Sequence, residues 1–242
     1  VLASIEASQV QTVANFAVRA RIWYRESLRV VLATTASVAA SGGSADQCAA
    51  VAQRIVADRI GVSAVSLSVG GAPACTAGQT AELSADVITG IVEDYRARVR
   101  SSTWIGGELA ETSYGVVTVG QRRFMAIYAR RGAGAQTEPL ESLLLVDAVI
   151  MDRAFDLGVV GAGVVVGIVK GRSDIVVARG AAESDTSWLP LDDQGGAELQ
   201  RWEASSRTGQ TVTYGRQRIA EPDLHVLARF DQQAERAAFL QF

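Results

Sequence analysis

Hydrophobic and polar positions recur with a helical period through the first forty residues of the chain. Residues 2–40 contain neither proline nor glycine, the residues that most often end a helix. Apolar or small side chains recur there every three or four positions, as on one face of an α-helix, at Leu2, Ile5, Val13, Phe16, Ala20, Trp23 and Val30. The spacing predicts one continuous helix, about 55 Å long at a rise of about 1.5 Å per residue. Because this length exceeds what a small half-domain needs, we expect the helix to run beside two folded units.

The residues that follow change between the helical period and the period of two that is typical of strands. Ser41-Gly42-Gly43-Ser44 ends the first helix, and Ser44 can cap a second helix, which we predict through Ile60. A strand from Ser63, a turn at residues 70–73 and a third helix over residues 80–100 come next. Two strands then flank Gly120-Gln121, which indicates an antiparallel hairpin of Tyr114–Val119 and Phe124–Arg130. Residues 44–138 are therefore predicted to form a first unit of helix, strand, helix and hairpin.

A second unit, residues 139–230, is predicted after residues 132–139, whose glycines, small residues and final proline favour a linker. Its pattern predicts a helix over Leu140–Leu157 and a short one over Glu198–Ser206. Two strand pairs are also predicted. Gly163–Val169 pairs with Ile175–Arg179 across residues 170–173, and Val212–Arg218 pairs with Leu224–Phe230 around Glu221-Pro222. The pattern indicates an α+β fold, with a long helix in residues 1–43 and two units that each contain an antiparallel sheet.

The last segment, residues 231–242, begins with a capping aspartate and ends in apolar residues, Phe239, Leu240 and Phe242. This order is typical of a helix that has been cut shortly before it enters a membrane. The chain begins at Val1 without an initiator methionine, so we interpret it as part of a longer protein. No membrane-spanning helix is predicted inside it, because the longest apolar run, Val159–Val169, is shorter than the ~20 residues that cross a bilayer.

Composition and charge exclude several classes of protein. Of the 242 residues, 48% are hydrophobic and 20% are charged, which is typical of a globular chain and not of a disordered one. The formal charge is −3 and the arginines are dispersed, so no nucleic-acid partner is expected. No cofactor is expected either. A phosphate-binding loop follows a strand and opens a helix, whereas the glycines here follow a predicted helix and precede a strand, at Gly158, Gly161, Gly163 and Gly167.

Cys48 and Cys75 are the only cysteines, and with a single histidine they cannot assemble a zinc site of the usual kind, so no metal is expected. Two interpretations remain for the pair. In an extracytoplasmic chain, a disulfide would close a loop of about 28 residues and contribute on the order of 3 kcal/mol, tying a helix to a nearby strand or hairpin. Otherwise the two thiols are buried and behave as small hydrophobic side chains.

Candidate catalytic residues are few. His225 lies in a strand with alternating pattern and has no second histidine or cysteine nucleophile beside it, so we interpret it as a partly exposed strand residue and not as part of a triad. The paired carboxylates Asp192-Asp193 and the nearby Glu183 and Asp185 fall in polar loops, where solvated carboxylates are expected. The chain is therefore not expected to be an enzyme.

Three segments carry a resemblance to a known family. LLVDAVIMDRAFDL from Leu144 to Leu157, GVVVGIVKGRSDIVVARG from Gly163 and TVTYGRQRIAEPDLHVLARF from Thr211 resemble an opening helix, a first hairpin and a closing hairpin. With the long first helix, they make the chain similar to the double Cache sensors, the tandem PAS-like extracytoplasmic domains of bacterial histidine kinases, chemoreceptors and cyclic-dinucleotide enzymes.

The resemblance implies the periplasmic sensing region of an inner-membrane receptor, most often a histidine kinase, that catalyses nothing itself. In such receptors the membrane-distal unit, here residues 44–138, usually binds a small molecule, and binding shifts helices that lead to a cytoplasmic output module. That output module and the flanking membrane helices would lie outside the present sequence. A homodimer through the first helix is a further expectation, because its Phe16 and Trp23 stripe can face either the domain or a partner.

Members of this family that bind amino acids carry an arginine and aromatic motif before the central strands, and an aspartate that holds the ligand amine. Arg21-Ile22-Trp23-Tyr24 has these residue types but lies within the first helix, so we interpret it as a coincidence. Near the expected place stand five candidate ligand-binding residues, Arg98, Arg100, Trp104, Tyr114 and Tyr128. Guanidinium groups can bind a carboxylate through paired hydrogen bonds and aromatic rings can form apolar walls, so a small carboxylate ligand is one candidate. The alternative is a set of solvated arginines and a packed Trp104.

Two other functions stay open at this point. The chain can be a secreted or cytoplasmic enzyme with an unrecognised active site, or a passive interaction module that only holds partners apart. Membrane helices before Val1 and after Phe242 in the complete protein would favour the receptor over both.

Overall fold

The computed structural model describes residues 2–40, 45–70, 72–78, 80–98, 101–105, 108–132, 139–150, 161, 163–182, 184–192, 198–220 and 223–239. Its first element is the predicted long helix, α1, which runs without a break over Leu2–Ala40. The chain divides into two compact units, and α1 contributes to both. Residues 23–154 form one unit, and residues 1–22 with 155–242 form the other.

The six-stranded unit, residues 23–154, contains a single antiparallel sheet with helices on both faces. Its elements after α1 are α2 (Ala45–Asp58), β1 (Val62–Val69), β2 (Ala72–Ala77), α3 (Ala85–Ala97), β3 (Ser101–Ile105), β4 (Glu108–Val119), β5 (Arg122–Arg131) and β6 (Leu140–Asp147). The strand order is β2-β1-β6-β5-β4-β3. β6, the last strand of this sheet along the chain, therefore lies at its centre, between β1 and β5.

The two faces of this sheet have different partners. On one face, α3 buries Ile88, Val92 and Tyr95 against Phe124 and Leu143 of the central strands. On the other face, Tyr24 of α1 packs edge to face on Tyr114 with ring centroids 5.9 Å apart. α2 is tied to β2 by the Cys48–Cys75 disulfide, with 5.7 Å between the Cα atoms. The structure thus forms the disulfide and not two free thiols.

The five-stranded unit, residues 1–22 and 155–242, contains the second antiparallel sheet. Its strands are β7 (Val164–Lys170), β8 (Asp174–Arg179), β9 (Gln200–Ser205), β10 (Thr211–Ala220) and β11 (Leu224–Phe230), in the order β8-β7-β11-β10-β9, and helix α4 (Gln232–Phe239) follows. Asp231 caps α4, because its Oδ1 accepts hydrogen bonds from the backbone N–H groups of Gln233 and Ala234 at 2.9 and 3.2 Å.

The core of the five-stranded unit is aromatic on one sheet face. Trp202 stacks on Tyr214 with ring centroids 5.6 Å apart, and the Tyr214 hydroxyl donates to the Trp188 carbonyl at 2.8 Å. On the other face, Gly215 of β10 lies directly against α1, since a Cβ there would stand 2.6 Å from Cγ2 of Val13. A glycine at this position therefore lets the helix and the strand approach closely.

Two predicted helices are wrong. Residues 140–147 form strand β6, and only at Ala148 does a helical turn begin. β6 pairs with β1 and β5 along its two edges, and both faces of the sheet are covered, so its leucines are buried on either face and the period of two is hidden. The second error is Glu198–Ser206, which forms the edge strand β9.

The position of β6 also corrects the predicted division of the chain. Because Leu140–Asp147 is hydrogen bonded within the first sheet, these residues belong to the six-stranded unit and not to a second unit that begins at residue 139. The resemblance of Leu144–Leu157 to an opening helix is likewise wrong for its first four residues. Four predicted features fall wholly or partly outside the described residues: positions 133–138 of the linker, the Ser41–Ser44 turn, the Glu221-Pro222 turn and positions 151–157 of the Leu140–Leu157 helix.

The other predicted elements are confirmed. The hairpin around Gly120-Gln121 is β4 and β5, with Val119 opposite Arg122, and both strand pairs of the second unit are antiparallel. Strands β2 and β3 were not predicted, and each lies at an edge of the first sheet. The fold is thus the expected α+β arrangement of a long helix and two antiparallel sheets.

Candidate functional site

A row of charged and polar side chains crosses the six-stranded sheet beneath the last turn of α3. Directly paired residues on neighbouring strands point to the same face of a sheet. Glu111 of β4 pairs with Arg130 of β5, which pairs with Glu141 of β6, which pairs with Ser68 of β1. Tyr128 lies on the same face, two residues before Arg130. The row therefore lies on the face that α3 covers.

Glu141 is the centre of this row and is almost fully buried, with 2% of its surface exposed. Arg96 of α3 donates from Nε to both carboxylate oxygens at 3.2 and 3.1 Å and from Nη2 to Oε2 at 2.5 Å. The Tyr128 hydroxyl donates to Oε1 at 2.8 Å and the Ser68 hydroxyl donates to Oε2 at 3.3 Å. Nε of Arg130 stands 3.6 Å from Oε1. Glu141 is thus surrounded by two hydroxyl donors and two guanidinium groups.

These contacts determine the ionisation of the site. Burial favours the neutral acid of Glu141, but hydrogen bonds from Arg96 and Tyr128 and the charges of Arg96 and Arg130 outweigh it, so the pKa of this carboxyl is lowered. The hydrogen bond with Glu141 raises the pKa of Arg96 in turn. The cluster is therefore an ion pair at neutral pH, and its chemistry is that of recognising a carboxylate.

Arg98, the first predicted ligand residue, stands at the end of α3 beside this row. Its backbone N–H donates to the Tyr95 carbonyl at 3.3 Å and closes the last turn. Its guanidinium pairs with Asp94 and lies 4.1 Å from the centroid of the Tyr95 ring. Arg98 is thus placed at the rim of the site, while Arg100 lies outside the described residues.

Trp104 stands on the same face at the sheet edge. It pairs across β3 and β4 with Leu109, and both side chains are solvent exposed, Trp104 to 74%. A tryptophan this exposed is not packed in a core, so the alternative of a buried Trp104 is wrong. With Leu109 it forms an apolar edge beside the charged row.

Tyr114 and Tyr128 do not belong to one site, although both were predicted as ligand residues. Tyr128 pairs with Ser113 and Tyr114 pairs with Ile127, so the two rings lie on opposite faces of the sheet. Tyr114 is buried beneath α1, whereas Tyr128 is buried beneath α3 and bonded to Glu141. The prediction that Tyr114 lines the same pocket is therefore wrong.

Sequence reasoning missed Arg96, Glu141, Arg130 and Ser68. One signal was present, because Glu141 is the single charged residue between Leu140 and Val146, in a strand of otherwise apolar and small residues. An ionisable side chain in such a strand must be neutralised or paired when it is buried, which marks it as a candidate site residue. Its arginine partners could not be assigned without the register of the sheet.

Two other sequence candidates are structural. Arg21-Ile22-Trp23-Tyr24 lies within α1 as expected, and burial raises the pKa of Tyr24 to about 12 against a hydrogen bond with Thr112 that lowers it. His225 is buried and not partly exposed, with Nδ1 3.1 Å from the Asp223 carbonyl and 3.4 Å from Nη2 of Arg216. The alternating pattern around His225 marks the two faces of β11, and both faces are buried.

Within the described ranges, no three histidine, cysteine, aspartate or glutamate side chains are grouped so that they could hold a metal ion. Among those same residues, no helix has the length and apolar character needed to span a membrane.

Comparisons with known proteins bear on the fold. No protein-family model and no curated protein sequence matches the chain. Several solved structures are similar over nearly the whole length, among them three sensor domains. The extracellular domain of rpHK1S-Z16, described as a histidine kinase, has a TM-score of 0.70 at 9% identity and 98% coverage of both chains.

The other two structures come from chemoreceptors. The ligand-binding domain of the amino acid chemoreceptor PctB of Pseudomonas aeruginosa PAO1, in complex with L-Arg, has a TM-score of 0.64 at 10% identity, covering 96% of this chain and 97% of that one. The periplasmic sensory domain of the Campylobacter jejuni chemoreceptor Tlp1 has a TM-score of 0.63 at 8% identity, covering 94% and 95%. The chain therefore has the two-sheet fold of these extracellular sensor domains, as the resemblance of its sequence to double Cache sensors predicted.

Proposed function

We propose that this chain is the periplasmic sensing region of a bacterial inner-membrane receptor, of the histidine kinase type, and that it binds a small molecule without catalysing a reaction. The observation that carries the proposal is the fold, which agrees with extracellular sensor domains over nearly the full length of both partners. The described residues of the candidate site supply hydrogen-bond donors and charges, which suit recognition of a ligand.

The proposed ligand site is the α3 face of the six-stranded unit, which would be the membrane-distal unit. Arg98, Trp104 and Tyr128 from the predicted set lie on this face, beside Arg96 and Glu141. Guanidinium groups and an apolar edge suit a small molecule that carries a carboxylate. Amino acids belong to that chemical class, and PctB is an amino acid chemoreceptor.

The mechanism would be a shift between two arrangements of the unit. A ligand that prefers one arrangement changes their populations by no more than its difference in affinity for the two. α1 contributes residues to both units, so a change in how the six-stranded unit holds its part of α1 can reach the five-stranded unit through one continuous helix.

A thermal-shift screen of the 242-residue chain against amino acids, organic acids, amines and sugars tests the proposal. A compound that binds only the folded state adds about 2.7 kcal/mol at a hundred times its dissociation constant, which is a clear rise in Tm. We expect Arg98→Ala and Trp104→Ala to reduce the shift, and Arg172→Ala, at an exposed arginine of the five-stranded unit, to leave it unchanged. A screen without any shift, or a shift that survives both variants, would count against the site.

We also propose that the receptor forms a homodimer through α1. The predicted stripe of Phe16 and Trp23 is only partly exposed. Among the α1 side chains that the structure describes, the exposed large apolar ones are Val18 and Ile22, at 49% and 58%. They are four residues apart and share one helix face, which is the spacing of a helix-to-helix seam.

A further inference from the structure

The donors around Glu141 form a binding site for a carboxylate. In this structure the carboxylate that they bind is the Glu141 side chain. Arg96 contacts both oxygens, and the Tyr128 and Ser68 hydroxyls each donate to one of them. A free carboxylic acid would require the same set of charge-assisted and hydroxyl hydrogen bonds. The cluster therefore has the donor chemistry that the carboxylate of another molecule would require.

The exposure of these groups is unequal. Glu141, Tyr128 and Ser68 are buried, whereas the side chains of Arg96 and Arg130 are exposed to 32% and 27%. The guanidinium groups are thus the part of the cluster that a dissolved molecule can reach. Of these two guanidinium groups, that of Arg96 is the more exposed, so an incoming carboxylate would meet it more readily.

Arg130 makes an exchange at Arg96 energetically possible. A buried carboxylate that loses its only cation is strongly destabilised, because its charge is left uncompensated. Glu141 has a second cation at 3.6 Å, just beyond the best hydrogen-bond length, on the directly paired residue of β5. Arg130 can therefore close on Glu141 when Arg96 leaves, while the two hydroxyl donors stay in place.

We propose that Glu141 is an internal competitor for the ligand, and that a small carboxylate binds by taking Arg96 from Glu141 while Arg130 compensates the Glu141 charge. This inference rests on the proposed sensing function and specifies the ligand class and its switch. Arg96 lies in the last turn of α3, so the exchange changes how the end of that helix is held to the sheet. Binding and the movement of α3 are then one event.

Calorimetric titration of the full chain with acetate, succinate and L-alanine separates this inference from a purely structural ion pair. Arg96→Gln removes the receptor charge, so we expect its affinity for the carboxylate that binds the wild type to fall ten- to hundredfold. Glu141→Gln removes the competitor, so we expect its affinity to rise about tenfold even though this variant unfolds at a lower temperature. A structural pair would show only the loss of stability.

Two further variants complete the comparison. Arg130→Gln leaves Glu141 without a replacement cation, so we expect weaker carboxylate binding. Arg201→Gln is the matched control, because Arg201 pairs with Glu6 in the five-stranded unit at 3.4 Å and has a similar exposure of 25%. We expect its affinity to equal that of the wild type.

Chemical rescue tests the receptor with acetate alone. Glu141→Ala leaves a space lined by the same donors, so acetate should raise its Tm in a saturable way, whereas sodium chloride at equal ionic strength should not. If Glu141→Ala does not fold, the affinity rise in Glu141→Gln remains the deciding measurement. Unchanged or weaker carboxylate binding in Glu141→Gln overturns the inference. If the screen finds only ligands without a carboxylate, or binding that Arg96→Gln does not affect, the exchange is also refuted while the proposed sensing function stands.

Discussion

Glu141 shows how single side chains set the stability of the candidate site. Its folded-state pKa is lowered, because the hydrogen bonds and charges of its partners outweigh burial, so the folded state binds the proton less readily than the unfolded chain. Its contribution to stability is therefore fully present above the unfolded value of about 4.3 and is lost as the pH falls through the lower folded value. Protonation of Glu141 at low pH should therefore weaken the attachment of α3 to the sheet, because Arg96 of α3 loses its charged partner.

We predict that Glu141→Gln lowers the free energy of unfolding at pH 7 by about 2 kcal/mol. This is less than for a fully buried ion pair, because Arg96 is one-third exposed and solvent screens its charge. The difference from the wild type should shrink as the pH falls below the unfolded value of about 4.3 and toward the lower folded pKa of Glu141, since the unfolded wild-type chain takes up the proton first. Urea unfolding at several pH values measures both curves. A difference that stays constant with pH would mean that the stabilisation does not come from the charge.

Tyr114 and Tyr128 show which part of the site was open to prediction. A two-residue turn at Gly120 and Gln121 places Val119 opposite Arg122, and counting back from this pair puts Tyr114 and Tyr128 on opposite faces. The hairpin was predicted correctly, so this separation followed from the sequence. The Arg96–Glu141 pair did not, because the two residues lie 45 positions apart and meet only through the packing of α3 on β6.

At the scale of elements, the Cys48–Cys75 disulfide joins α2 to the edge strand β2 across 27 positions. Closing a loop of that size restricts the unfolded chain by about 3.5 kcal/mol in the chain-entropy model. We predict that Cys48→Ala with Cys75→Ala lowers the free energy of unfolding by about 3 kcal/mol, as measured in urea. Reductant should destabilise the wild type by a similar amount and leave the double variant unchanged, whereas equal effects on both proteins would assign the loss to something other than the bond.

The contact between α1 and β10 gives a second prediction at this scale. A Cβ on Gly215 would stand 2.6 Å from Cγ2 of Val13, a stiff β-branched side chain, so Gly215→Ala should cost about 1–3 kcal/mol. Gly90 is the matched control, since it lies inside α3 and a methyl group added there would have no neighbouring atom within 4 Å. Gly90→Ala should stabilise by up to about 1 kcal/mol.

Thermal unfolding of the Gly215→Ala protein with and without Val13→Ala tests the cause of that cost. If the clash is responsible, the two changes together should cost less than the sum of the single changes, because the smaller side chain makes room for the methyl group. Additive costs would show that helix and strand do not meet at this pair.

The elements also show why some of the fold escaped prediction. β6 carries Leu143, Leu144 and Leu145 in succession and is buried on both faces, so a short apolar run of this kind has neither the period of a helix nor that of a strand. β3 spans only Ser101–Ile105, at a sheet edge where one side is open. α1, by contrast, is long and free of helix-breaking residues, and its bounds were predicted almost to the residue.

At the scale of the whole molecule, α1 is, among the described elements, the one that belongs to both units. It packs Tyr24 on Tyr114 in the six-stranded unit and Val13 on Gly215 in the five-stranded unit. Nη2 of Arg21 also donates to the Arg218 carbonyl at 2.8 Å. A continuous helix that makes specific contacts in each unit can carry a displacement along its length, because its backbone hydrogen bonds resist local stretching.

The exposed face of α1 provides the prediction for assembly. Val18 and Ile22 expose two large apolar side chains on one face, and burial of each against a second copy would contribute about 1–2 kcal/mol to association. We predict that the chain forms a concentration-dependent dimer in light scattering after gel filtration, and that Ile22→Asp shifts it to the monomer by placing like charges at the seam. Ile60→Asp is the matched control, because Ile60 is a similarly exposed isoleucine outside α1, at 66%. A monomeric wild type, or a dimer that Ile22→Asp leaves intact, would show that this face of α1 does not carry the interface.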